Sequence, residues 1–368
     1  MRKIIIITAT ITISIILVTI IFLSTKGIKT DNFNNLINQK INEINPKIKL
    51  KINYVNFKLR ASDFKFEVKT LDPKITINEK KIDLELIKFD INIIDYFNKK
   101  NPVTKISVIS KENNINQLTN FLNEYEYNLS RDLILKQIRG GKIKIVSDIM
   151  LDEKNLGKFK YLINGYVRNA QINLLNQIKL EDINFNFTIK ENIINLKQLK
   201  LSSNQKIISS EKFNIKKVNE VFEVDGILKT NKNKINLYDY SKLININFDI
   251  LKDQSVNISS VNNLSFKINK KLKISDLNIE TLLSFDELYT KIKYQNLIYF
   301  KDGNIRLNYR ENDLKINLDS KFLFVNEKYN NDKSKNLINI TYNKNQKKNA
   351  SVYVDLVNRK NTINSQYK

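Results

Sequence analysis

The stretch KIKLKINYVNFKLRASDFKFEVKT, residues 47–70, alternates apolar and polar side chains almost without fault. Ile48, Leu50 and Ile52 share one parity, Val55, Phe57 and Leu59 take the other, and Phe64, Phe66 and Val68 return to the first. In a strand, side chains at i and i+2 point to one face. Such a stretch settles as ribbons that are apolar on one side and charged on the other. The pattern recurs for most of the chain, with Ile183, Phe185, Phe187 and Ile189 as a clean later row. About twenty strand-like segments follow one another at intervals of roughly 8–15 residues. No run between them is long and periodic enough for a βαβ crossover. The expected fold is therefore mainly β: a long, mostly antiparallel sheet.

A sheet with one apolar face must cover it. A second sheet does so in a sandwich, and acyl chains do so in an open trough. Only two short helices are expected among these strands, too few to cover the face, so the sheet is expected to curl into an open apolar groove. Its candidate lining is Ile48, Leu50, Ile52, Phe57, Leu59, Phe64, Phe66, Val68, Ile183, Phe185, Phe187 and Ile189.

The first helix candidate spans 30–46. Phe33, Leu36, Ile37, Ile41 and Ile44 fall on one helical face, Thr30 or Asp31 caps the start and Pro46 ends it. It reads equally as a lid on the end of the sheet or as a helix lying on a membrane. The second is expected near 115–137, from Ile115, Leu118, Leu122 and Tyr125 at spacings of 3, 4 and 3, and Gly140 or Gly141 stops it by taking positive φ. Between Leu86 and Ile87 the parity flips, which predicts a turn or bulge. KDGN at 301–304 reads as a hairpin turn. The first strand field is 47–140, the second 141–340, and 341–368 reads as a polar tail. With only seven Gly and three Pro in 368 residues, Asn, Asp and Lys must supply the turns.

Ahead of the strands, Ile4 to Leu23 is uncharged, IIIITATITISIILVTIIFL. At 1.5 Å per residue it spans about 30 Å, the thickness of a bilayer core. Threonine hydroxyls in it can return to backbone carbonyls. Arg2, Lys3 and the amino terminus precede the run, which places the N-terminus in the cytoplasm and everything after residue 29 outside. A cleaved signal peptide would carry a shorter apolar region followed by small residues, and LSTKG does not supply them. Residues 1–29 are thus expected to be a cytoplasmic N-terminus and a retained transmembrane anchor.

The available chemistry is narrow. The chain has no His, Cys or Trp, which excludes thiol nucleophiles, Ser-His-Asp triads and His or Cys metal sites. Carboxylate-only sites stay open on composition. The acidic groups DEK at 152–154 and FDEL at 285–288 read as solvated turns, and no phosphate-binding or nucleophile motif occurs. No catalytic residue, metal or cofactor is assigned, and the chain is not expected to be an enzyme. Net charge is +24, but the Lys are spread evenly through the strands together with Asn and Ile. The charge fits anionic lipid headgroups at least as well as nucleic acid, and no nucleic acid is expected as a partner.

The order of these features is specific: an anchor, a short helix, VNFKL, then LDPKITINEKKIDLELIKFDINIIDYF, a strand, a helix, IRGGKIKIVSDIMLD, and FKYLINGYVRNAQINLLNQIKLEDINFNF ahead of many apolar strands. Over nearly its whole length the chain resembles the N-terminal region of the AsmA-like proteins of Gram-negative bacteria, relatives of the bridge-like lipid transfer proteins. The resemblance implies an inner-membrane protein with its bulk in the periplasm, holding phospholipid in an apolar β-groove between inner and outer membrane. Outer-membrane or envelope proteins would then be partners at the far end. Members of that family are usually longer. The alternative is a membrane-anchored scaffold or assembly factor for outer-membrane proteins that carries no lipid and binds partner strands at its sheet edges.

Overall fold

The computed structural model describes residues 2–31, 34–35, 38–39, 46–98, 102–125, 137–151, 159–174, 178–203, 206–236, 255–269, 273–291, 297–310, 313–325, 336–344, 350–357 and 362–367. Within them the protein is mainly β, its ladders are antiparallel and its sheet is not closed. It divides into two compact units, Met1–Ile194 and Asn195–Lys368.

The N-terminal unit opens with α1 (Arg2–Thr25), which is helical throughout the uncharged run. Its side chains are described at Ile7 and continuously from Thr10. Among the described residues no helix is long and apolar enough to cross a membrane. Thr19 Oγ1 donates to the Ile15 carbonyl at 2.8 Å and Thr25 Oγ1 to that of Ile21 at 2.7 Å, so these hydroxyls are satisfied within the helix. The N–H groups of Lys26 and Gly27 both donate to the Phe22 carbonyl. Gly27 has φ +69°, the left-handed turn that ends many helices. A Cβ there would also meet the Phe57 carbonyl oxygen at 2.3 Å, so no other residue fits.

Directly after that turn comes β1 (Ile28–Thr30), followed by β2 (Ile48–Lys51), β3 (Val55–Arg60), β4 (Lys65–Leu71), β5 (Lys74–Ile77), β6 (Lys80–Asn92), β7 (Val103–Ser110), β8 (Asn113–Asn114), β9 (Ile138–Arg139), β10 (Lys142–Leu151), β11 (Phe159–Leu174) and β12 (Ile178–Lys190). The main sheet has the order β1-β3-β4-β6-β7-β10-β11-β12. Strand β6 is shared: its second half pairs with β4, and its first half pairs with β5, which in turn holds β2. The short strands β8 and β9 extend the ladders of β10 and β11. The expected change of parity is a bulge inside β6. Its register slips between Leu84 and Leu86, so Ile82, Leu84 and Ile87 are all buried.

Beyond α1, two helices of this unit are described, and residues 34–35 and 38–39 are also helical. Helix α2 (Ile93–Phe97) starts at Asn92, whose side-chain oxygen accepts from the N–H of Ile94 at 2.9 Å and of Asp95 at 3.3 Å. Helix α3 is the one expected near 115–137 and is seen over Ile115–Tyr125; residues 126–136 lie outside the described residues. Most of the helix expected over 30–46 also lies outside them. Asn114 caps α3, accepting from the Asn116 N–H at 2.9 Å. Gly140 and Gly141 both take positive φ, as expected. Among the described residues Asn and Asp supply seven of the eleven positive-φ non-glycine positions, and Lys26 and Lys47 lie in turns.

The face opposite the apolar one carries a charge ladder. Glu67 receives Lys69 Nζ at 2.5 Å and Lys88 Nζ at 2.8 Å, Arg60 Nη2 reaches Asp90 at 3.3 Å, and Lys105 Nζ reaches Asp148 at 3.1 Å. Ser107 Oγ donates to Asp148 at 2.6 Å. Burial works against the charged forms of Glu67 and Asp148. The hydrogen bonds from Lys69 and Lys88 to the one, and from Ser107 and Lys105 to the other, outweigh it and hold both carboxyls below their usual range. A depressed folded-state value stabilises the fold above the usual glutamate and aspartate values of 4.5 and 3.8, and that stabilisation is lost as pH falls through the folded-state values. Replacing Glu67 by Gln should therefore flatten the acid limb of a stability-against-pH curve and lower stability at pH 7. An unchanged acid limb would show that the ladder contributes nothing.

Strand β13 (Ile193–Ser203) crosses the boundary between the units. The C-terminal unit is a meander: β14 (Lys206–Val218), β15 (Val221–Asn236), β16 (Ser255–Asn269), β17 (Ile274–Lys291), β18 (Leu297–Arg310), β19 (Asp313–Val325), β20 (Asn336–Lys344), β21 (Ala350–Val357) and β22 (Thr362–Tyr367). From β15 onward each pairs with the strand before it. Three readings of the sequence change here. KDGN at 301–304 is no hairpin turn but a bulge inside β18, where the register against β19 slips between Lys301 and Asn304 and Asp302 has φ +51°. FDEL at 285–288 lies within β17, with Asp286 paired to Lys232 at 2.5 Å, and DEK at 152–154 lies outside the described residues. The segment 341–368 is partly strand, because alternation in SVYVDLV and its flanks outweighs the polar composition.

Candidate functional site: an apolar sheet face

Cross-strand register aligns the apolar residues of the N-terminal unit into rows. Leu59, Phe66 and Ile91 stand opposite one another on β3, β4 and β6. The next row is Phe57, Val68, Phe89, Ile106 and Ile149, reaching β10. The third is Val55, Thr70, Ile87 and Val108. From β10 to β12 the rows continue as Ile143–Val167–Phe185, Ile145–Gly165–Phe187 and Ser147–Ile163–Ile189. Directly paired residues share a face. One apolar face thus runs from β3 to β12, and Phe57, Leu59, Phe66, Val68, Phe185, Phe187 and Ile189 all lie on it. Ile183 joins them opposite Ala170, beyond a register shift.

The face is not uniform. Leu50, Ile52, Val55, Val68, Ile82, Leu84 and Ile87 form a buried cluster, with Phe57, Ile75, Phe89, Ile91, Val108 and the α3 residues Leu118 and Phe121 packed on it. Helix α3 is pinned there by side-chain bonds. Gln117 Nε2 donates to the Lys81 carbonyl at 2.8 Å, and Asn113 Nδ2 to the Asp83 carbonyl at 3.0 Å. Beneath α3 lies a cavity of about 190 Å³ lined by residues including Ile75, Leu84, Phe121, Ile143 and Ile145. An apolar cavity of that size favours an apolar guest over water. Outside that cluster, Leu59, Phe66, Ile106, Ile149, Ile163 and Ile189 are only half-buried. Contiguous, half-exposed apolar surface on this scale marks a binding site more often than a finished core.

Four candidates sit apart from the rows. Ile48 pairs with Ile77 on the β2–β5 branch and is half-buried, while Leu50 and Ile52 belong to the cluster under α3. Phe64 lies beyond a 3-10 turn at Ala61–Asp63, takes φ +49° and is 65% exposed.

Three glycines on these faces share a device that the sequence reading missed. Gly165, Gly226 and Gly303 each stand directly opposite a phenylalanine: Phe187, Phe213 and Phe285. A Cβ on any of them would fall within 2.5 Å of that ring. The ring lies down over the bare backbone of its neighbour. An isolated glycine inside a strand pattern is the available signal for such a close approach. In the C-terminal unit, Val256, Ile258, Phe285 and Phe300 form a second buried cluster. Beside it a belt of uncharged polar groups crosses the same face. Thr230 Oγ1 and Ser260 Oγ share a hydrogen bond at 2.9 Å, Asn262 Nδ2 donates to Ser260 Oγ at 2.8 Å, and Thr281 Oγ1 donates to Asn262 Oδ1 at 2.9 Å.

Among the described residues no cluster of three or more acidic side chains is arranged to hold a metal ion. No family model, curated protein or solved structure matches the chain.

Proposed function

We propose that this chain is a membrane-anchored, non-catalytic envelope protein of the AsmA-like type, whose apolar sheet face carries the acyl chains of phospholipid between inner and outer membrane. The observation that carries this reading is the register-aligned apolar face from β3 to β12, which α3 covers at one end, which is buried at Val167, Ile183 and Phe187, and which is half-exposed at Leu59, Phe66, Ile106, Ile149, Ile163 and Ile189. Acyl chains are suited to complete it, since they are apolar, deformable and free of hydrogen-bonding groups. The headgroups would stay in water.

Helix α1 supports the membrane half of the reading. Ile11, Ile13, Ile15, Ile16, Leu17, Val18 and Ile21 are all more than half exposed and point in every direction around the helix. A helix apolar all round is suited to lipid or to a protein core. Counted from Ile4 to Leu23, the run matches the bilayer core. Arg2 and Lys3 then favour a cytoplasmic N-terminus, with the strands in the periplasm.

The test is mass spectrometry of lipids extracted from the full chain after gentle detergent purification. Phospholipid retained in stoichiometric amounts through exchange into lipid-free detergent is expected. A chain that carries none, yet captures outer-membrane protein segments, would instead be the scaffold.

A further inference from the structure

Exposed large apolar side chains of the N-terminal sheet are gathered at one end of it. Strand β1 runs antiparallel to β3, with Ile28 opposite Phe57 and Thr30 opposite Val55. Thr25, where α1 ends, therefore lies toward Arg60, at the β3–β4 turn. Phe64 projects from that turn. Helix α2 lies beside it, since the Ile93 N–H donates to the Phe64 carbonyl at 3.1 Å. Following the ladders across, Ile91 pairs with Val103, Lys105 with Met150, and Leu151 with Phe159. The same end thus displays Phe64 at 65% exposure, Ile94 at 58%, Phe97 at 76%, Met150 at 48% and Phe159 at 58%. Among the described residues, Ile28 at 49% lies opposite Phe57 nearer the middle of the sheet, and at the opposite end of these strands the exposed residue is Leu71, at 37%.

Phe64 adds a second sign. It is a bulky residue held in the left-handed region and also turned into solvent. Both features cost free energy, and strained backbone of this kind tends to sit at functional positions. The turn is braced by Arg60 Nε on Asp63 Oδ1 at 2.7 Å. The cationic Lys26, Arg60 and Lys65 lie around the same end, with Arg60 and Lys65 sharing Asp63, and positive charge at this level suits anionic headgroups.

We propose that this end of the sheet sits in the interfacial layer of the bilayer from which α1 emerges, with Phe64, Ile94 and Phe97 as its inserted tips. The inference rests on the reading of α1 as the anchor. Continuity with α1 selects a lipid surface as the occupant. The short Gly27 turn leaves the sheet end no distance from the membrane, and the apolar end of the strands becomes the mouth through which lipid enters the face.

The chain contains no Trp, so single substitutions report depth cleanly. Full-length Phe64→Trp, Phe97→Trp, Leu71→Trp and Ile16→Trp variants are reconstituted into vesicles of phosphatidylcholine and phosphatidylglycerol containing phosphatidylcholine brominated high or low on the acyl chain. Circular dichroism confirms strand content in each. Phe64→Trp and Phe97→Trp should be blue-shifted and quenched chiefly by bromine near the headgroup, Ile16→Trp by deep bromine, and Leu71→Trp by neither. Water-like, unquenched emission at positions 64 and 97 beside deep quenching at position 16 would overturn the inference and leave the anchor standing. Loss of quenching at position 16 would remove the anchor, and the inference with it. Equal quenching at Leu71→Trp would overturn the polarity of the sheet end.

Discussion

Val68→Asp should abolish cooperative melting of the N-terminal unit, while Phe66→Glu, two residues away on the same strand and face, should leave it folded and deprived of lipid. Val68 is 5% exposed and sits inside the cluster that α3 covers. A carboxylate there has no cation within the cluster. Burying a polar group without a partner costs roughly 2–7 kcal/mol, and a charged one more, against a total stability of about 5–15 kcal/mol for a domain. Phe66 is half-buried and lies outside the cluster that α3 packs on. Its glutamate can turn to water, so the melting temperature should move by only a few degrees. The charge would nevertheless interrupt the path proposed for acyl chains. Differential scanning fluorimetry and quantified bound phospholipid read the two effects separately. If Phe66→Glu also unfolds the protein, the face is sealed along its length and the groove reading is lost. If lipid binding survives Phe66→Glu in a folded protein, the lipid lies elsewhere.

In the C-terminal unit the largest effect is expected at a glycine. A Cβ at Gly303 would lie 2.0 Å from Phe285 Cζ, in the cluster with Val256, Ile258 and Phe300. Gly303→Ala should cost about 1–3 kcal/mol through overpacking. Phe285→Leu alone should also destabilise, because the cluster loses part of a ring. The two together should cost less than their sum by roughly 0.5–3 kcal/mol, since each relieves the defect of the other. Urea unfolding of the four proteins in the cycle measures the coupling, and strict additivity would show that the ring does not rest on the glycine. Gly165 should behave differently. There a Cβ meets the backbone oxygen of Lys144 at 2.3 Å as well as the Phe187 ring, so trimming the ring rescues less.

What the sequence revealed and what it concealed divide along a physical line. Alternation is local, so the strands, the two-sidedness of 47–70 and the shared face of Phe185, Phe187 and Ile189 could be read directly. The parity flip in β6 was visible for the same reason, although the bulge lies nearer Leu84 than the boundary at Ile87 suggested. Phe64 was placed on the face because its parity matches Phe66, but Ala61–Asp63 winds into a 3-10 turn and swings it out. Parity carries no information across a turn. KDGN misled because Asp-Gly marks a turn and a bulge equally well. Gly303 is there for the ring of Phe285, and that pairing lies eighteen residues away in sequence. The branching of β6 toward both β4 and β5, and the site where α3 settles, depend on contacts between distant segments, which periodicity does not encode.

The C-terminal meander has a consequence for how such a chain is made. From β15 to β22 every strand pairs with its immediate predecessor. Contacts that close over short sequence distances form quickly. A chain delivered N-terminus first always presents the next strand to an edge already in place. Assembly can then keep pace with delivery, and at any moment one open edge awaits a partner. The same rule makes length adjustable. Adding or removing one hairpin shifts the growing edge by two strands and restores the direction in which the chain runs. Every remaining strand keeps its partner and its orientation.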